Sequence, residues 1–221
     1  MHNSNAYAKT KAQEHNLPFA AMKGIFSGTQ RLYVYAQGEK EIIDAITTVK
    51  KGGAKNIVLV GGYNAYKITD FLKEHKIPVL VNDPQALPNF ADDDYDLPYK
   101  LPKLLMDAGL LVGLQNVNDS NFYTRNLPFL AGQVAGQGLD KEKALQLITG
   151  NTAKILGISD AYGTLEVGKS ATLFISEGDA LDMRSNLLTH AFIDGRNVSL
   201  ETHQTELWKR YMGKFEGKIR Q

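Results

Sequence analysis

The sequence predicts a mixed α/β fold on a parallel sheet, amounting to half of an eight-stranded barrel, followed by a β-rich segment and a final helix. Two observations carry this expectation. Short apolar, β-branched runs alternate four times with amphipathic segments, the pattern of strands covered on both faces by crossover helices. After Gly163 the rhythm changes to short strands broken by glycine turns. No glycine-rich fingerprint opens the helices, so four strand-helix units fit half a barrel better than a dinucleotide-binding sheet.

Taken in order, Asn3 or Ser4 caps a helix expected to run to about Lys23, with Ala6, Tyr7, Ala12 and Leu17 at loosely helical spacing. "RLYVYA" is the first strand. "GEKEIIDAITTVKKGG" is the helix after it, with Ile42, Ile43, Ile46 and Val49 on one face and Gly52 as its stop. The unit repeats as "KNIVLVGG" with "NAYKITDFLKEHK", "IPVLVN" with "LPYKLPKLLMDAG", and "LLVGLQN" with "LPFLAGQVAGQG". The run "KALQLITGNTAKILG" ends this part, which predicts a half-barrel domain over 1–157 and a second domain over 158–221. In the second, "ATLFIS" and "LTHAFIDG" read as strands. "ETHQTELWKRYMGKF" reads as a helix with Leu207, Trp208 and Tyr211 as its packing face, or an interface if nothing in the chain covers it.

Composition narrows the function. With 221 residues, 43% of them hydrophobic, the chain can bury a substantial core. Its 25 basic and 24 acidic residues are scattered, so the sequence offers no stripe of charge suited to nucleic acid, and none is expected as a partner. The absence of cysteine excludes disulfides, thiolate metal sites and a cysteine nucleophile. No stretch approaches the roughly 20 apolar residues that span a bilayer, and "MHNSNAYAKTKAQEHNLPF" lacks the features of a secretory signal. A cytoplasmic location and no membrane association are the expectations for the sequence as it stands.

The stretch "RNLPFLAGQVAGQGLDKEKALQLITGNTAKILGISDAYGTLEVGKSATLFI" resembles the C-terminal half of the amidohydrolase superfamily, in its imidazolonepropionase-like and Xaa-Pro dipeptidase-like branch. "ALQLITGNTAKILGI" is similar to the helix at the end of that family's barrel, and "GTLEVGKSATL", "GDALD" and "HAFIDGR" to its return into a composite β-sandwich. "DDDYDLPYKL" resembles the loop and helix after the seventh strand. The resemblance extends over nearly the whole chain, while the chain has about half the family's usual length. It implies that the four strands are the fifth to eighth of a (β/α)8 TIM-type barrel, followed by a sandwich remnant. A signal peptide would lie in the half not represented, and a periplasmic location is then the alternative expectation.

The resemblance also implies one or two divalent metals, zinc or similar, at the C-terminal ends of barrel strands. The family's ligands are a His-x-His pair on the first strand, histidines ending the fifth and sixth, and an aspartate ending the eighth. By motif, the fifth-strand position falls on Tyr35 and the sixth on Gly61 or Gly62. The eighth falls near Gln115 and Asn116, with Asp119 a few residues too late; the first-strand pair has no counterpart. Ser170 and Thr172 stand where the family often has acidic residues. Imidazole and carboxylate hold such metals through short-range lone pairs, and tyrosine, glycine and amides together do not. No metal or other cofactor is therefore expected in this chain.

The remaining candidates follow from chemistry. His2, His15, His75, His190 and His203 fall away from the ends of predicted barrel strands and form no expected ligand pair. Asp92, Asp93, Asp94 and Asp96 could hold a hard cation, but a solvated loop is the better reading. Tyr35, Gln37, Tyr63, Asn82, Asp83, Asn116 and Asp119 are expected to converge at the strand ends. They either line a metal-free small-molecule pocket or remain after catalysis was no longer required. Arg125 either fixes the loop after the last strand or contacts substrate. Gly52, Gly53, Gly61 and Gly62 read as turn glycines, because no Lys-Ser/Thr follows to make a phosphate cradle.

Two functions from different classes follow. In the first, the chain is non-catalytic alone, acting as an assembly partner or metal-free small-molecule binder. In the second, it is a subunit or fragment of a metal-dependent hydrolase of C–N bonds, whose metal histidines come from a separate N-terminal half. Half barrels leave unpaired strand edges, so either a homo-oligomer or such a second chain is the expected partner.

Overall fold

The structure, a computed structural model, describes residues 2–9, 16–116 and 121–215. The chain divides into two compact units, Met1–Thr164 and Leu165–Gln221.

The first unit opens with three short helices, α1 (His2–Lys9), α2 (Leu17–Ala21) and α3 (Lys23–Ser27), in place of the single expected helix. The physical reason is local. The Asn16 side chain accepts a hydrogen bond from Phe19 N and Pro18 sits in the first turn, so a new helix starts at Leu17.

Four strands then form one parallel sheet in the order β1 (Arg31–Ala36), β2 (Asn56–Gly61), β3 (Val79–Asn82) and β4 (Val112–Gln115). Between them lie α4 (Glu39–Lys51), a 3₁₀ turn (Ala65–Ile68) running into α5 (Thr69–Glu74), and α6 (Leu97–Asp107). A second 3₁₀ turn (Asn121–Asn126), α7 (Leu127–Gly136), α8 (Lys141–Gln146) and α9 (Gly150–Leu156) follow β4. This is the mixed α/β arrangement with a parallel sheet that the strand-helix alternation predicts, and it fits part of a barrel.

The two faces of the sheet differ. Ile57, Leu59, Val79, Val81, Val112 and Leu114 are buried and form the core beside Ile42 and Ile46 of α4, Leu72 of α5 and Leu105 of α6. The pairing register puts Tyr35, Val60, Leu80 and Gly113 side by side on the opposite face, with Tyr33 beside Val58 and Asn82 beside Gln115. On this face Ile155 of α9 packs against Val58 and Leu80, and buried Asn151 donates a 3.0 Å hydrogen bond to Val112 O. Tyr33 and Tyr35, on the β1 side, remain 43% and 63% exposed. Among the described residues, β1 pairs only with β2 and β4 only with β3.

The second unit is an antiparallel sheet of β5 (Leu173–Ser176), β6 (Leu188–Ile193) and β7 (Arg196–Asn197), followed by α10 (His203–Met212). Asp194 and Gly195, both with positive φ, make the tight β6–β7 turn. The Asp194 carboxylate accepts hydrogen bonds from Ser170 and Thr172. Leu181 is the one buried core residue among those described in this unit, while Phe174, Ile175, Leu188 and Ile193 are exposed. Among the described residues, no helix is long and apolar enough to cross a membrane.

Candidate functional site at the strand ends

The polar residues at the C-terminal ends of β1, β2 and β3 meet in a small recess of about 160 Å³ whose lining includes Gln37, Tyr63, Asn82, Asp83 and Asn89. Gln37 is the connector. Its Nε2 donates to the Tyr35 hydroxyl at 2.8 Å, and its Oε1 accepts from Tyr63 N at 3.0 Å. The Gln37 amide can lie there because Gly61, with φ +93, has no side chain; a Cβ would come within 2.6 Å of Nε2. The Tyr63 ring is buried. Its hydroxyl donates to Asp93 Oδ2 at 2.6 Å and accepts from Asn89 N at 3.0 Å. Burial first, and the bond to Asp93 second, raise the Tyr63 pKa above the ordinary phenol value.

The β3–α6 loop is held by its own acids. Asp93 Oδ2 also accepts from Phe90 N, while Asp94 and Asp96 both pair with Lys100 at 2.7 and 2.8 Å. The acidic run read as a solvated loop therefore has three defined tasks, all of them structural. Asn89 was not among the sequence candidates; it contributes through its backbone N–H, which no side-chain pattern reveals.

At the far side, Gln115 Nε2 donates to Asn82 Oδ1 at 3.1 Å, and Asn116 Nδ2 donates to Thr124 Oγ1 at 3.3 Å. Asp83 has a left-handed backbone, φ 45, at the end of β3. Arg125 is exposed on the 3₁₀ turn Asn121–Asn126. Asp119 lies outside the described residues, as does His15. The sequence candidates thus fall into two clusters, Tyr35, Gln37 and Tyr63 on one side and Asn82 with Gln115 on the other. Tyr63, Gln37 and Asn82 share the recess.

A family-type divalent metal does not fit these residues. Among the described residues, the recess at the strand ends offers phenol, amides and glycine with the single carboxylate of Asp83. Among the described residues no group of three or more His, Cys, Asp or Glu is arranged to hold a metal ion. His75 ends α5, His190 lies in β6 and His203 begins α10.

A parallel sheet with crossover helices and a polar recess at the carboxyl ends of its strands defines the class: a mixed α/β protein whose sheet fits part of a barrel. The comparisons agree. The profile of the amidohydrolase family matches residues 113–203. The imidazolonepropionase of Syntrophobacter fumaroxidans is 35% identical over 82 residues, which are 36% of this chain and 19% of that protein. The crystal structure of an amidohydrolase from Thermotoga maritima superposes with a TM-score of 0.76 at 27% identity, covering 89% of this chain and 50% of that one. A prolidase complexed with N-methylphosphonate-L-proline (TM-score 0.60, 15% identity, 82% of this chain and 48% of that one) shares the fold. So does a Xaa-Pro dipeptidase with methionine in its active site (0.56, 18%, 81% and 47%). Residues 113–203 thus match the amidohydrolase family, the fold is similar to that of solved amidohydrolases, and the chain spans about half the length of the solved structures it matches.

Proposed function

We propose that this chain forms the C-terminal half of an amidohydrolase-type barrel, strands five to eight, with a remnant of the composite β-sandwich. It is non-catalytic by itself and acts as an assembly partner or a metal-free small-molecule binder. The observation that carries this reading is the chemistry of the strand ends, where tyrosine and amide side chains are joined in hydrogen-bonded networks. The recess supports it. At about 160 Å³ it is smaller than the roughly 300 Å³ at which small-molecule pockets begin, as expected of one wall of a larger site. Exposed Tyr33 and Tyr35 beside the open edge of β1, and the sparse core of the second unit, support a need for further chain, from a second copy or from a separate N-terminal half.

Equilibration with zinc or manganese followed by elemental analysis tests it. Substoichiometric metal on the isolated chain is the expected result; tight one-to-one uptake rejects the reading.

A second reading is favoured by the half-length match to enzymes of the family. Here the chain is one part of a metal-dependent hydrolase of C–N bonds, the metal histidines coming from a separate N-terminal half. Native mass spectrometry of material from its own host separates the two. A metal-free homo-oligomer supports the first, and a complex with a second, metal-bearing chain supports the second.

A further inference from the structure

The end of the sheet opposite the recess carries a larger cleft, about 590 Å³, that the family resemblance does not account for. Six of the chain's 25 basic residues, Arg31, Lys50, Lys55, Lys73, Lys76 and Lys154, line it, and none of its 24 acidic residues does. They arrive from separate elements: the start of β1, the last turn of α4, the loop before β2, the end of α5 and the turn after it, and the last turn of α9. Lysines in last helical turns are commonplace, because they complement the helix dipole. That accounts for Lys50, Lys73 and Lys154 singly; it leaves Arg31, Lys55 and Lys76 unexplained, and equally the exclusion of every carboxylate from the lining.

The cations also differ in how far they are neutralised. Lys73 pairs with Asp70 at 2.8 Å and Lys55 Nζ donates to Ser27 O at 3.2 Å. Among the described residues, Arg31, Lys50, Lys76 and Lys154 make no ion pair. Two backbone features hold this group in place. Lys76 has φ 53, a left-handed conformation at a helix end where glycine or asparagine is the ordinary choice. Gly157, φ +75, lets the Arg31 guanidinium pass so close that a Cβ there would lie 2.0 Å from Nη1.

We propose that this cleft binds a compact, multiply charged phosphate compound, either a short inorganic polyphosphate or a small phosphate ester. Several cations with no internal counter-ion repel one another until an anion enters, and ammonium and guanidinium groups are the side chains that hold phosphate oxygens. The charge is confined to one cleft in a chain of net charge +1, which favours a small ligand over an extended nucleic-acid backbone.

Calorimetric titration of the full chain at low ionic strength, with tripolyphosphate and separately with a sugar bisphosphate, tests the proposal. Saturable binding that weakens with salt is expected, and the tighter of the two probes assigns the source. Lys154→Gln should weaken it about tenfold or more, the loss expected for one charge-assisted contact, while Lys40→Gln, on the exposed face of α4, should leave it unchanged. Lys76→Gly separates binding from folding, since it should raise the melting midpoint by relieving the left-handed backbone and still weaken binding. Saturable binding of neither probe, or equal losses in Lys154→Gln and Lys40→Gln, overturns it.

Discussion

The Tyr63 hydroxyl donates a 2.6 Å hydrogen bond to Asp93, thirty residues further along the chain, and so ties the end of β2 to the loop before α6. The same oxygen receives the N–H of Asn89, and the same carboxylate oxygen receives the N–H of Phe90. Removing the hydroxyl leaves the Asn89 N–H without its acceptor and takes one of two donors from Asp93 Oδ2 in a partly buried setting. Tyr63→Phe should therefore cost about 1–3 kcal/mol, read from urea unfolding. Combining it with Asp93→Asn should cost less than the two changes summed, because both remove one bond; strict additivity would show that the loop is held by other contacts.

The same tyrosine sets an alkaline limit. Its pKa in the folded protein lies above the ordinary value, so the unfolded chain loses the proton first as pH rises. Its contribution is whole below about pH 10 and is lost as pH climbs through the folded value. Stability measured across that range should fall more steeply in the parent than in Tyr63→Phe.

Glu41 provides the acid counterpart. Its carboxylate accepts from Gln37 N at 2.8 Å and Gly38 N at 3.1 Å, closing the start of α4 directly after the strand that ends in the recess. Those two backbone bonds hold its pKa below the usual carboxylate range. The contribution is present above the ordinary glutamate value and is lost as pH drops through the folded one. Glu41→Ala should cost about 0.5–1 kcal/mol at neutral pH, a modest figure because the group is exposed. The gap between parent and variant should close in acid, as chemical denaturation at two pH values would record.

Asn151 tests the attachment of α9 to the sheet. The side chain is 7% exposed and its Nδ2 reaches Val112 O. Asn151→Ala removes that bond and leaves space in a packed contact, which should cost about 1–3 kcal/mol. Faster hydrogen exchange in 150–156 than in 39–51 would localise the loss.

What the sequence determined by itself is the class of fold and the resemblance to the amidohydrolase family. Strands such as "NIVLVG" are apolar throughout, helices such as Glu39–Lys51 carry one apolar stripe, and both patterns are local consequences of burial. The residue types at the strand ends were legible too, because they are a property of the sequence. Tertiary structure decided the rest. Asp93 reads as one acid among four, and only folding puts it under the Tyr63 hydroxyl. The six cations of the cleft lie in balanced surroundings over 31–154, and only the return of three helix ends, two loops and the start of β1 to one end of the sheet collects them. Even the first helix broke where Asn16 and Pro18 offered a competing start. Spacing along a chain encodes which face a side chain takes, whereas its partners are set by long-range closure, which leaves no local trace.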